Sequence, residues 1–339
     1  SLDRRLSTLR GLNHLMDIYV KKAIIHQFSP DDTDLYLADK LLNITPKIEE
    51  YLRKKIERVY SDEARTGIFE EDNPFLEMIS DDLLETSVAV ANRWKEEFVV
   101  SENQKTNDLV FIQFSKEGVD HFAFLRIALR ETLTHLGGEV DNPIKLTQNN
   151  LPGFGTGADE ALVINLQSRK YHLIEKRIKY NGTFLNYFSE NLLQAQPKIS
   201  PKKSIKALEK TAQKIAESFN TDDFQFQSKV KSAIFNHIEE DNKLSPEKLA
   251  DDLFDDNLTA RLSFIDQVKE AVPEPVTFEE IDASRQLKKF ENQKLSLSNG
   301  IELIVPNNVY EDAESVEFIL NDNGTYSILI KNIEDIQSK

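Results

Sequence analysis

The sequence predicts an α+β fold: an N-terminal antiparallel sheet with packed helices, followed by a helical region and a small C-terminal β element. Three observations carry this. Segments rich in β-branched and aromatic residues dominate up to Asn181–Gly182. Helical periodicity dominates from Thr183, and strand-like runs return beyond Pro273 and Pro275. At 339 residues the chain is long enough for two domains. The expected division is 16–182 and 183–339, the second part helical over 183–270 and β over 295–331. Residues 1–15, where Leu2, Leu6, Leu9, Leu12 and Leu15 alternate with Arg4, Arg5 and Arg10, are expected to be a basic leader outside the fold, with Met16 as the start. They lack the continuous apolar core of a secretory signal.

Taken in order, IYVKKAIIHQF (18–28) and DLYLA (34–38) read as strands joined by the turn-rich SPDDTD. Thr45 is a good N-cap and Pro46 suits a first helical position. The helix they open has Ile48, Leu52, Ile56 and Val59 on its apolar face, and Glu49, Glu50, Arg53, Lys54, Lys55, Glu57 and Arg58 on the others. One or two helices are expected over 74–100, around the single tryptophan, Trp94. DLVFIQF (108–114) pairs with HFAFLRIAL (121–129), and ALVINLQ (161–167) with KYHLIEKRI (170–178). Together these predict a sheet of roughly six strands with helices on one face. Helices are then expected over 183–193, 200–219, near 225–240 and near 245–255. Strands follow at 301–306, 315–320 and 325–330.

Composition narrows the chemistry. With 40% hydrophobic and 29% charged residues the chain reads as globular. It has no cysteine, which excludes disulfides, thiolate nucleophiles and cysteine-ligated zinc. No apolar run approaches the roughly 20 residues that span a bilayer. GFGTG (153–157) lacks the Lys–Ser/Thr pair of a phosphate loop and reads as a strand connection. The histidines at 14, 26, 121, 135, 172 and 237 follow no metal-binding pattern, and His237 with Glu239, Glu240 and Asp241 reads as a solvated helix end. NDNG (321–324) reads as a hairpin turn and not as a calcium loop, and DDLFDD (251–256) as a solvated helix face. Phe184, Tyr187 and Phe188 could stack bases, though core packing is the commoner use of such residues. No catalytic residues, metal or cofactor are expected.

Charge is unevenly distributed. The net charge is -16, yet Arg169 to Lys214 holds 11 basic and 3 acidic residues, net +8. Within it lies PKISPKKSIKALEKTAQKIAESF. Ser200 and Pro201 mark a helix start. Ile205, Leu208, Ala212, Ile215 and Phe219 fall on one arc; Lys202, Lys203, Lys206, Lys210 and Lys214 fall on the opposite one. A solvated outer face is the ordinary explanation of such a pattern. Five lysines of one sign repel at i, i+4 spacing, however, and lysines suit sequence-tolerant contact with phosphates better than base reading. The candidate DNA-contact residues are therefore Arg169, Lys170, Lys176, Arg177, Lys179, Lys198, Lys202, Lys203, Lys206, Lys210 and Lys214. The partner would be double-stranded DNA, bound without sequence preference.

Larger stretches carry a family resemblance. DIYVKKAIIHQFSPDDTDLYLADKLLNITPKIEEYLRKKI leads into RVYSDEARTGIFEED. The central strands follow, and then IKYNGTFLNYFSENLLQAQPKISPKKSIKALEKTAQKIAESF. From Asp17 onward this layout resembles the bacterial nucleoid-associated proteins of the NdpA-like (YejK-type) family. The resemblance implies a cytoplasmic, non-enzymatic, nucleoid-associated DNA-binding protein, in a family whose members are also acidic. The alternative expectation is an adaptor whose acidic C-terminal region recruits protein partners at the nucleoid. A homodimer would suit a bridging role.

Overall fold

The computed structural model describes residues 17–99, 105–138 and 140–338; the expected leader, 1–15, lies outside them. The chain divides into two compact units between Lys202 and Lys203.

In the first unit the strands are β1 (Ile18–Ser29), β2 (Asp34–Tyr36), β3 (Arg65–Ile68), β4 (Asn107–Lys116), β5 (Val119–Ala128), β6 (Arg130–His135), β7 (Ile144–Asn150), β8 (Glu160–Asn165) and β9 (Lys170–Ile174). Seven of them form one antiparallel sheet in the order β2-β1-β4-β5-β8-β9-β3. The six expected strands are all present. The seventh, β3, is only four residues long, too short to show periodicity, and pairs with β9 at the sheet edge. A Cβ at Gly67 of this strand would collide with the Tyr171 ring, so the close pairing requires glycine. The β6–β7 pair forms a separate ribbon that the sequence reading passed over.

Helices cover both faces of the sheet, not one as expected. Helix α1 (Pro46–Glu57) places Leu52 and Ile56 against Val20, Val110, Ile112, Leu125 and Val163. Beyond the short helix α2 (Pro74–Glu77), α3 (Leu83–Phe98) places Val90, Trp94 and Phe98 against Phe28, Leu109, Phe111, Phe124 and Leu162 on the other face. The physical reason is visible in β4 and β5, whose residues are buried in unbroken runs where a one-sided sheet would alternate.

A short hairpin follows, β10 (Ile178–Tyr180) with β11 (Thr183–Leu185), then a single π-type turn, Phe188–Leu192. Residues 183–193 were expected to be helical and to open the second domain. Instead Tyr187, Phe188, Leu192 and Leu193 are buried in the core of the first unit. The expected helix is reduced to the turn at 188–192 because Thr183–Leu185 is taken up by the hairpin, and burial of each large apolar side chain, worth about 1.5–3 kcal/mol, holds that turn in the first unit.

The second unit is mainly helical. It comprises α4 (Pro201–Ser218, whose first two residues precede the division), α5 (Phe224–Asp241), α6 (Pro246–Leu253), α7 (Leu258–Val268), α8 (Glu280–Phe290) and the short α9 (Asn307–Tyr310). Ile205, Leu208, Ala212 and Ile215 pack with Val230, Ile234, Ile238, Leu249 and Phe264 in one core. Helix α7 was not anticipated. Asn257 caps it, accepting from Ala260 N at 3.0 Å, and Ala260, Phe264 and Val268 are buried at i, i+4, i+8. Strands β12 (Lys243–Leu244) and β13 (Val276–Thr277) pair, as do β14 (Asn292–Ser296) and β15 (Glu302–Pro306), and β16 (Val316–Leu320) and β17 (Tyr326–Ile330). The NDNG turn joins the last two strands: Asn321 N donates to Thr325 O at 2.8 Å, and Gly324 has φ 79°. Gln293 anchors β14, its Nε2 donating to Asn307 Oδ1 at 2.8 Å and to Ser228 O at 3.0 Å.

Candidate nucleic-acid interface

Helix α4 bears out the amphipathic pattern read from its sequence. Ile205, Leu208, Ala212 and Ile215 are buried, while Lys203, Lys206, Lys210 and Lys214 are exposed. Phe219 lies beyond the helix end and is exposed, so it leaves the apolar arc. At 1.5 Å rise per residue the four lysines span about 16 Å, with neighbours one turn apart. Among the described residues, no carboxylate lies within ion-pair distance of Lys206, Lys210 or Lys214. Glu209 is the acid nearest in sequence. Burial raises its pKa above the usual carboxylate value, against the pull of Lys231 and Lys206. Glu217 near the helix end accepts from Gln213 Nε2 at 3.2 Å.

The remaining candidate cations, all in the first unit, are more often engaged within the fold. Lys202 pairs with Glu63 at 2.7 Å, which holds the lysine pKa above its usual value. Lys176 pairs with Asp159 at 2.8 Å. Burial alone would raise the Asp159 carboxyl, but this lysine and Ala128 N, donating at 2.8 Å, bring it below the ordinary value. Arg169 donates to Phe69 O at 2.9 Å and lies 3.7 Å from Glu71. Arg177 Nη2 donates to Phe184 O at 3.2 Å. Lys170, Lys179 and Lys198 are exposed, and the Lys198 backbone N–H bonds Thr66 O at 2.8 Å. Of the aromatics, Tyr187 and Phe188 are fully buried and Phe184 is 53% exposed.

The motifs set aside in the sequence behave as structural parts. The 153–157 loop connects β7 to β8, and Lys55 Nζ holds it by donating to Gly153 O at 2.7 Å and to Thr156 O. Lys55, assigned to a polar face of its helix, is in fact buried. Burial, with Arg58 and Arg130 nearby, lowers its pKa to about 8. Sequence reasoning missed this because i, i+4 spacing cannot show a loop returning about a hundred residues later. His237 Nε2 meets Asp252 Oδ2 at 2.5 Å, and no group of three or more acids and histidines able to hold a metal occurs among the described residues.

A family model described as nucleoid-associated protein YejK matches residues 24–336. The chain belongs to that family. The match runs through both units of the YejK-family chain, from β1 to beyond β17. No curated protein sequence matches it. Among the described residues, no helix is long and apolar enough to cross a membrane.

Proposed function

We propose that this YejK-family protein binds double-stranded DNA through the phosphate backbone, without sequence preference and without chemical turnover. Lys203, Lys206, Lys210 and Lys214 of α4 are the principal contacts. The observation that carries this reading is the exposed one-sign row on a helix whose opposite face is core. Lysine point charges displace condensed counterions from phosphates and leave base edges unread. The acidity of the whole chain does not oppose this, because charges beyond about 8–10 Å are screened at cellular salt. In this reading the protein resides on the cytoplasmic nucleoid, where a homodimer would bridge duplexes. The test is fluorescence anisotropy of the purified chain with two unrelated duplexes. Similar affinities are expected, together with loss of binding in a folded K203E/K206E/K210E variant. Unchanged affinity in that variant refutes the assignment.

One observation favours an adaptor role alongside it. A cavity of about 410 Å³ in the second unit has an apolar floor of Phe226, Leu253 and Phe254 and carries Asp255 and Asp256. Lys229 approaches Asp255 at 3.7 Å. An apolar floor with an acidic rim suits a basic protein segment. A nuclease-resistant protein partner that is lost in D255K/D256K supports this role; retention in that variant removes it.

A further inference from the structure

The β10–β11 hairpin presents a second chemistry. Its register pairs Ile178 with Leu185, Lys179 with Phe184 and Tyr180 with Thr183. Ile178 is buried in the first unit's core, so the alternate positions Lys179 and Phe184 face outward together. The connecting Asn181 and Gly182 have φ of 45° and 82°, the paired positive values of a tight primed turn that fixes the strand register. Arg177 donates to Phe184 O at 3.2 Å, which brings a guanidinium to the residue that carries the ring. No carboxylate occurs between Lys176 and Leu185.

Phe184 is unusual within this chain. Of its 20 phenylalanines only Phe184 and Phe219 are exposed. Among the described residues the Phe184 ring packs on no other ring, whereas Tyr187 and Phe188 are wholly buried a few residues later. The core thus takes two aromatics of this segment and leaves the third beside two exposed cations.

We infer that this hairpin face is a stacking platform for an unpaired base of single-stranded DNA. Phe184 supplies the ring, and Arg177 and Lys179 meet the flanking phosphates. The inference rests on the DNA-binding reading above but concerns a different surface and a different form of DNA. Every base offers a π face to such a ring, so binding is sequence-tolerant. Lys176, held by Asp159, is not part of the platform.

The experiment uses the full chain with a fluorescein-labelled dT15 strand and a labelled 15-base-pair duplex. F184A is expected to weaken dT15 binding about tenfold, with F184W restoring it and an unchanged salt slope, because no phosphate contact is lost. Duplex affinity should stay within about twofold. The thermal transition of F184A should match that of the parent, since the ring is exposed. Equal affinity of F184A and parent for dT15 overturns the platform. An equal loss on the duplex overturns its single-strand character. A parent that binds duplex but not dT15 removes the platform and leaves the lysine row standing; a parent that binds neither removes both.

Discussion

Arg126 Nε meets Glu160 Oε1 at 2.7 Å between β5 and β8, with side chains only 2% and 0% exposed. Both partners make further hydrogen bonds. Arg126 Nη1 donates to Asn107 Oδ1 at 3.0 Å, Tyr187 OH donates to Glu160, Trp94 Nε1 donates to Tyr187 OH at 3.1 Å, and Lys176 N donates to Glu160 Oε2 at 3.1 Å. One carboxylate thus ties the sheet to α3, to the segment after β9 and to the turn that follows the β10–β11 hairpin.

Removing one member should cost more than the pair is worth, because it strands a buried charge. E160Q is expected to lose about 3–5 kcal/mol of stability, and the double variant R126M/E160M to recover part of that loss. Denaturant midpoints measure both. A loss below about 1 kcal/mol in E160Q would contradict the buried-pair account.

The lysine row makes a quantitative claim about salt. If all four lysines engage phosphates, log K should fall with log[salt] at a slope of about -3.6. Each lysine replaced by glutamine should reduce the slope by about 0.9. A slope that does not change through the series would place the contacts elsewhere.

Lys55 should act locally. K55M removes the donor for Thr156 O, at about 1–3 kcal/mol for the carbonyl left without a partner, and one of the two donors to Gly153 O, which keeps Thr156 N at 3.0 Å. Limited proteolysis should then cleave within 150–158 faster than in the parent, while cuts elsewhere keep their rates. Uniform protection of that loop in K55M would show that Tyr51, which donates to Pro152 O at 2.8 Å, suffices to hold it.

His26 sets a pH dependence. Its Nδ1 accepts from Ala38 N at 3.0 Å, so Nε2 carries the proton toward Ser87 Oγ at 2.9 Å and the ring is neutral. Burial lowers its pKa below 6.5, the value that the unfolded chain keeps. The unfolded state therefore binds more protons below about pH 6.5, and stability falls as pH drops through that value. The urea midpoint should be lower at pH 5.5 than at pH 7.5, and H26Q should narrow the difference. A midpoint that rises on acidification would contradict the assigned sign.

Much of this was legible because it is local. Thr45 accepts from Ile48 N at 3.4 Å as the N-cap read from the sequence, and the NDNG turn closes its hairpin. The amphipathic arcs of α4 need only a 3.6-residue period. The candidate site was legible only as charge. That Lys202 and Lys176 are occupied by Glu63 and Asp159 depends on acids 139 and 17 positions away. No pattern in the basic island signals those partners.

The sequence by itself determined the α+β order, the strand set of the main sheet except β3, and a lysine face opposed to an apolar one. These follow from side-chain period and capping chemistry, which act within a few residues. The tertiary structure decided which face of each element is covered, that Lys55 and Arg126 lie inside, and that Phe184 stays out while Tyr187 and Phe188 go in. Those outcomes depend on which distant groups satisfy a buried charge or fill a space, and that information lies in the packed chain and not in any one segment of it.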